Sequence, residues 1–448
     1  MLLERIQHYS GTLGSRPALA AGEETIPWQA LWPMASSLAA RLRRAGEGPV
    51  ALTGSPDAVW VPAAFLACLI AGRPYLPLDP ALPPARQRAL AASLGAQWLT
   101  QEEALAGFGA GEDCVPAREG GRIAYLLFTS GSTGAPKPVA VSVDNLESFL
   151  RWAESLPQLT GAAGGTAVGQ AAWSFDLSVA DLYLSLTQGG THVALTQAEK
   201  EDWPALLRRL EVSRPTLLVT TPTFLRLCLA DPGFSRDSLP ELTTVFSCGE
   251  ALPPAAARRL LERFPGCTLL NAYGPTEATC AVCAAPITLE QCHGPLPVGR
   301  LGEGAVEITL EGGEIILTGA SVAPAFGGRY ATGDLGYADD RGLLYWAGRK
   351  DHQLKYKGYR IEPAEIEGAL EALPGVERAA VLPRRDSAGG VKALVAVVEG
   401  SAAPQTLRQA LAGRLPGYKI PSQWRAVERM PLTPNGKCDR KRLEEMIQ

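Results

Sequence analysis

Tyr125-Leu-Leu-Phe-Thr-Ser-Gly-Ser-Thr-Gly-Ala-Pro-Lys-Pro-Val139 is the stretch from which the rest of the chain is read. Four apolar or aromatic residues predict a buried strand. A Thr/Ser/Gly cluster follows from Thr129 to Gly134, and Lys137 closes the run. Such a loop turns several backbone N–H groups and hydroxyls toward one point, which is how a chain without a metal cage holds a phosphate. Lys137 adds a point charge for a β- or γ-phosphate. The spacing is not that of a Walker loop, because no Gly-Lys-Ser/Thr follows the glycines. The plainer alternative, a flexible surface turn, does not account for the strand that leads in or the lysine that closes the run.

Strands and helices alternate on both sides of this loop. Helical spacing of apolar residues covers 28–45, 58–71, 86–94, 144–156, 179–186, 203–210, 222–229 and 253–264. Short apolar runs at 50–53, 75–79, 97–100, 166–169, 192–195, 216–219, 244–246 and 268–270 predict strands. This rhythm predicts an α/β fold with parallel βαβ sheets. Between 296 and 346 short alternating runs with glycine turns predict a small β-barrel or β-layer. From Asp351 onward the pattern becomes α+β and is the size of a separate small domain. The expected division is 1–350 and 351–448, within the 448 residues of the chain.

The global numbers narrow the function. Net charge is −4 with acid and base mixed, so no basic stripe points to nucleic acid. No apolar run approaches the length of a membrane span. The start, Met1-Leu-Leu-Glu-Arg, places charge where a secretory apolar region would begin. The nine cysteines are scattered and odd in number, which with that start argues for reduced thiols in a cytoplasmic protein. Cys280 and Cys283 have zinc-like spacing, but a second such pair is missing, so a metal reading is set aside.

Four further runs carry chemistry. Asn271-Ala-Tyr-Gly-Pro-Thr-Glu277 follows a buried strand and presents an amide, a tyrosine ring and a carboxylate together. Glu277 suits Mg²⁺ held against phosphates. Tyr330-Ala-Thr-Gly-Asp334 puts a carboxylate beyond a tight turn, suited to ribose hydroxyls. The charged run from Gly348 to Glu362 joins the β-layer to the α+β tail. Pro434-Asn-Gly-Lys437 is a turn carrying a lysine near the end. Alone, each also reads as an ordinary turn or linker.

Taken in order, these runs resemble the adenylate-forming superfamily, and most of all the adenylation domains that activate amino acids for carrier proteins. The resemblance runs from Leu69-Ile-Ala-Gly-Arg-Pro-Tyr-Leu-Pro-Leu-Asp79 to Lys437. Phe175-Asp-Leu-Ser-Val-Ala-Asp-Leu-Tyr183 and Phe246-Ser-Cys-Gly-Glu-Ala-Leu-Pro253 look like the D-alanine-activating branch. The resemblance implies that a carboxylate attacks ATP to give an acyl-adenylate and pyrophosphate, and that a carrier's phosphopantetheine thiol then takes the acyl group as a thioester. By motif match, Thr129, Ser130, Gly131, Ser132, Thr133, Gly134 and Lys137 hold the leaving pyrophosphate, and Glu277 holds Mg²⁺. Asn271, Ala272, Tyr273, Gly274 and Thr276 belong to the ATP site, with Asn271 and Tyr273 on adenine. Asp334 and Arg349 hold ribose, and Lys437 bridges the substrate carboxylate and ribose oxygens. Asp351 matches the hinge, about which rotation exchanges Lys437 for the Gly358 loop.

Asp176 matches the aspartate that binds the substrate's α-ammonium group; its alternative is a helix-capping aspartate. Leu177, Ala180, Val219, Phe246, Cys248, Gly249, Ala272, Cys280 and Ala281 match the pocket lining. None is charged, so the implied substrate is a small-to-medium apolar amino acid, alanine-like or cyclic such as proline. Ala180 and Ala272 depart from the branch and enlarge the pocket. Pro138 replaces the glycine that usually follows the loop lysine and removes an N–H donor. The segment between Leu317 and Tyr330 is shorter than usual. No carrier-like segment follows Arg440, so the carrier is expected in trans. Two alternatives stand beside this reading: an acyl- or aryl-CoA ligase of the same superfamily, against which Asp176 argues, and a silent binding module, against which Lys137 and Lys437 argue.

Overall fold

The computed structural model describes residues 2–118, 120–129, 136–160, 163–386, 390–431 and 438–447. Among them, no helix is long and apolar enough to cross a membrane. The chain divides into two compact units. One holds Met1–Asp79, Leu90–Leu127 and Val139–Gly348; the other holds Pro80–Ala89, Phe128–Pro138 and Arg349–Gln448.

The larger unit is mixed α/β. An eight-stranded sheet has the order 283–287, 268–273, 244–247, 217–220, 166–169, 191–194, 17–21, 24–27. Its six central strands pair in parallel, and an antiparallel strand closes each edge. A second sheet orders 97–98, 50–53, 75–78, 123–129 and 137–142. A third, of five strands between 299 and 349, forms the β-layer. Its longest strand, Arg329–Ala338, buries the alternate positions Thr332, Asp334 and Gly336.

One helix decides how the site is held. Leu177–Thr187 is buried at all eleven positions, including Ser178, Asp181, Ser185 and Thr187. Its polar residues therefore need partners inside the protein. The Tyr183 hydroxyl pairs with that of Tyr75 at 2.9 Å. Asp181 lies 2.9 Å from His192 Nε2, with both side chains essentially out of solvent. The carboxylate sits directly on Gly169, where an added Cβ would fall 1.3 Å from Asp181 Oδ2.

The smaller unit stacks the hairpin Leu354–Tyr356 and Tyr359–Ile361, the helices Pro363–Glu371 and Pro404–Ala412, and a sheet of 376–385, 391–400 and 423–427 around its own core. The hairpin turns on Lys357 and Gly358, with φ of 54° and 82°, the left-handed pair that matches strand twist in a two-residue turn. The stretch expected as a charged connector thus ends in regular structure. A buried ion pair, Lys419 to Glu365 at 2.6 Å, pins Lys419 beside the first helix.

Gly169→Ala displaces Asp181 and strands a buried ionisable pair. The cost is on the order of 3–5 kcal/mol, read as a thermal midpoint lower by roughly 5–10 °C in calorimetry.

Candidate active site

The residues singled out for the substrate pocket gather at the carboxyl ends of adjacent parallel strands, the usual ligand position in open α/β sheets. Thr220, Ser247 and Asn271 lie side by side in register, with Val219 beside Phe246 one step earlier. Leu177, Ala180, Val219, Phe246, Cys248, Ala272, Cys280 and Ala281 all belong to one continuous core cluster. Cys248 Sγ lies 3.9 Å from the carbonyl oxygen of Cys280.

Asp176 stands at the start of the Leu177–Thr187 helix, but its side chain makes no capping hydrogen bond. The capping alternative is therefore excluded. The carboxylate is 7% exposed, and its Oδ2 accepts a 2.6 Å hydrogen bond from the Thr276 hydroxyl. Its charge reaches into the pocket: burial first, and then Asp176, pushes the Cys280 thiol well above the usual range. Burial, followed by Cys280 and Asp176, does the same to the Tyr125 hydroxyl.

A strained turn closes this wall. Thr279 and Cys280 both take the left-handed conformation, with φ of 62° and 71°; two such non-glycine residues cost about 1–3 kcal/mol each. Thr279 repays part of this by donating its hydroxyl to the Ser321 carbonyl at 2.8 Å. The Val282 N–H bonds back to the Tyr273 carbonyl at 2.8 Å. The turn folds so closely over Gly274 that a Cβ there would lie 2.5 Å from the Ala281 Cα. Glycine is the residue that lets the two strands of chain meet.

On the other side of the turn, Glu277 is 5% exposed, and its carbonyl accepts the Ala323 N–H at 2.8 Å. One buried carboxylate is the kind of donor set Mg²⁺ uses when water and phosphate oxygens complete its shell. Tyr273 is buried, and its hydroxyl donates to Asp334 Oδ2 at 2.7 Å. Trp346 Nε1 donates to the other oxygen at 3.1 Å. Asp334 also receives support from Thr332, whose hydroxyl accepts the Asp334 N–H at 3.0 Å. Asn271 spends its amide N–H on the Pro297 carbonyl at 2.8 Å, which fixes the direction of its oxygen. Trp346 was legible in the sequence only as a strand residue; its role beside Asp334 needs the fold.

In the smaller unit, Arg349 and Asp351 are each other's partners, at 2.6 and 2.9 Å in a two-pronged contact. Burial raises the Asp351 carboxyl, but the Arg349 hydrogen bond and charge outweigh it and leave the group below the ordinary range. Thr129 Oγ1 is 3.5 Å from the carbonyl oxygen of Lys137, whose side chain is exposed. Ser130, Gly131, Ser132, Thr133, Gly134 and Lys437 lie outside the described residues. All nine cysteines are unpaired thiols, eight of them buried.

Two family models match the chain: AMP-binding enzyme over residues 100–325 and AMP-binding enzyme C-terminal domain over 365–437. The D-alanine–D-alanyl carrier protein ligase of Bacillus licheniformis is 34% identical over 504 residues, covering 100% of this chain and 99% of that protein. This chain belongs to the AMP-binding enzyme family. It is an AMP-forming ligase of the adenylate-forming superfamily. The ligase of the same name from Bacillus mycoides is 36% identical over 434 residues, 85% of this chain and 86% of that one. The fold also matches the Vibrio cholerae adenylation domain AlmE, solved with glycyl-adenosine-5′-phosphate, at a TM-score of 0.85 and 22% identity over 100% and 96% of the two chains. The 504-residue alignment is longer than the 448 residues here, so that relative carries stretches this AMP-binding enzyme lacks.

In this AMP-binding enzyme the Cys280 thiol is expected to resist alkylation by iodoacetamide at pH 8. Gly274→Ala forces the turn open and makes Cys280 reactive, which peptide mass spectrometry of the labelled protein reads directly.

Proposed function

We propose that this ligase adenylates a small-to-medium apolar amino acid with ATP and passes it as a thioester to the phosphopantetheine arm of a separate carrier protein. The observation that carries the reading is Asp176: a buried carboxylate that caps no helix and lies near enough to Cys280, one of the uncharged residues matched to the pocket lining, to add to burial in pushing up its thiol. An α-ammonium group is a cation of the kind a buried carboxylate can hold. The uncharged lining favours an apolar side chain. The names of the Bacillus relatives, which act on D-alanine and a carrier protein, support an alanine-like substrate, while Ala180 and Ala272 leave room for a larger or cyclic one.

In the first half-reaction a substrate carboxylate oxygen attacks the α-phosphorus of ATP, and the bond to the bridging oxygen breaks to release pyrophosphate. Catalysis of such displacements is mostly positioning and charge neutralisation. Asp176 would hold the amine end, and Asp334 and Arg349 the ribose. Thr129, Ser130, Ser132, Thr133 and Lys137 would hold the departing phosphates. Glu277 would hold Mg²⁺, which when bound neutralises phosphate charge. Lys437 would stabilise the attacking carboxylate, and Asp351 would serve as the hinge that exchanges the two half-reactions.

ATP–pyrophosphate exchange over a panel of L- and D-amino acids tests this. Alanine- to proline-sized substrates are expected to support exchange. Exchange with propionate but with no amino acid overturns the reading. Asp176→Ala is expected to lower kcat/KM for the amino acid by about 10²–10³.

Lys437→Ala is expected to reduce adenylation by roughly 10²-fold or more while thioester formation from preformed aminoacyl-adenylate stays within a fewfold of wild type. Equal loss in both steps sinks the hinge assignment.

A further inference from the structure

We propose that Tyr418 is a positioning residue for the second half-reaction, its ring holding the Gly358 turn in the shape that thioester formation uses. The inference rests on the reading above, in which the smaller unit serves both steps and the Gly358 turn takes the place of Lys437 in the second. In that step the thiol sulfur attacks the carbonyl carbon of the aminoacyl-adenylate. The bond to the phosphate oxygen breaks, AMP leaves, and the thiol proton passes to water. The turn that would serve this step is slight. Leu354–Tyr356 and Tyr359–Ile361 pair in antiparallel register on either side of Lys357 and Gly358. A lone two-stranded hairpin is marginal in water. Lys357 also holds φ at 54° without a glycine's freedom, a conformation that persists only where neighbours over-determine it. The ladder needs support from outside itself.

That support comes from rings at the two positions flanking the turn. Tyr356 is buried in the core of the unit, and the Lys357 ammonium lies 5.1 Å from its ring centroid. Tyr359, its partner in register, stacks on Tyr418 with centroids 3.7 Å apart and planes 5° from parallel. Both stacked rings are half-buried against the same core. Tyr418 is itself anchored. It sits in the one-turn segment Gly417–Lys419, and the neighbouring Lys419 Nζ meets Glu365 Oε2 at 2.6 Å with both side chains nearly out of solvent. Parting a buried ion pair leaves a charge without its partner, so this contact resists movement. Glu365 lies on Pro363–Glu371, the helix that follows the hairpin in the chain. The contacts therefore close a circuit: hairpin, Tyr418, Lys419, Glu365, and back along the helix to the hairpin. No residue assigned to adenylation belongs to this circuit, so its loss falls on the second step.

Tyr418→Leu removes the ring and keeps apolar bulk; Tyr418→Phe keeps the ring. Two rates are measured on each full-length variant. One is ATP–pyrophosphate exchange with the amino acid that the wild type uses best. The other is transfer from the preformed adenylate of that amino acid to free pantetheine. Tyr418→Leu is expected to slow transfer roughly 3–10-fold while exchange stays within about twofold. Tyr418→Phe is expected to match wild type in both. Tyr359→Leu is expected to show the same split, and the double variant to lose no more than the worse single one, because both remove one contact. Unchanged transfer in Tyr418→Leu overturns the proposal, as does equal slowing of both rates. Should Tyr418→Leu fail to fold, Tyr418→Met is measured in its place against the same outcomes. A wild type that supports no exchange, or that transfers to pantetheine no faster than the adenylate reacts in free solution, brings down the reading above and this inference with it. A competent wild type with an indifferent Tyr418→Leu removes Tyr418 alone.

Discussion

A carboxylate removed from water must be met by donors or by a cation, and the pocket of this enzyme is arranged around that requirement at Asp176. Isolating such a charge in a low-dielectric interior costs far more than a single hydrogen bond returns. The Thr276 hydroxyl answers part of the demand. The neighbouring residues Leu177, Ala180, Val219, Phe246, Cys248, Ala272, Cys280 and Ala281 are all uncharged members of one core cluster.

The walls that hold this carboxylate are stiff for identifiable reasons. The Leu177–Thr187 helix is buried all round and cannot shift without exposing apolar surface. The opposing turn is locked by the left-handed pair Thr279 and Cys280, by the Thr279 bond to Ser321, and by the absence of a side chain at Gly274. Strain of this kind persists only where the surroundings over-determine it. A pocket built this way discriminates by fit, and a methylene in such a pocket is worth about 1–3 kcal/mol.

Much of the architecture was legible in the sequence because the signals were local. The helix expected at 28–45 is observed as Trp28–Ala45, and the strand expected at 166–169 as Thr166–Gly169. Mixed α/β architecture with parallel sheets and a smaller C-terminal unit followed from the same rhythm. Elements whose local chemistry contradicts their state were missed. Arg329–Ala338 holds Gly333, Asp334 and Gly336 and reads as a turn, yet its pairing with Glu314–Thr318 makes it a strand. The antiparallel strands at the edges of the large sheet were also missed, since Glu24–Pro27 and Cys283–Ile287 have weak patterns rescued by their neighbours. The pocket residues could be named from motif matches, but no motif carries the Thr276 bond to Asp176 or the Trp346 bond to Asp334. Those depend on residues that only the fold brings together.

The helix behind Asp176 is bolted to two different sheets. Tyr183 reaches the hydroxyl of Tyr75 on one, and Asp181 reaches His192 on the other. The helix that follows Asp176 is therefore a joint between sheets. The position of Asp176 is inherited from how those two layers sit on each other, so a repacking at Tyr75, about a hundred residues earlier in the chain, would reach the start of this helix through the Tyr183 hydroxyl.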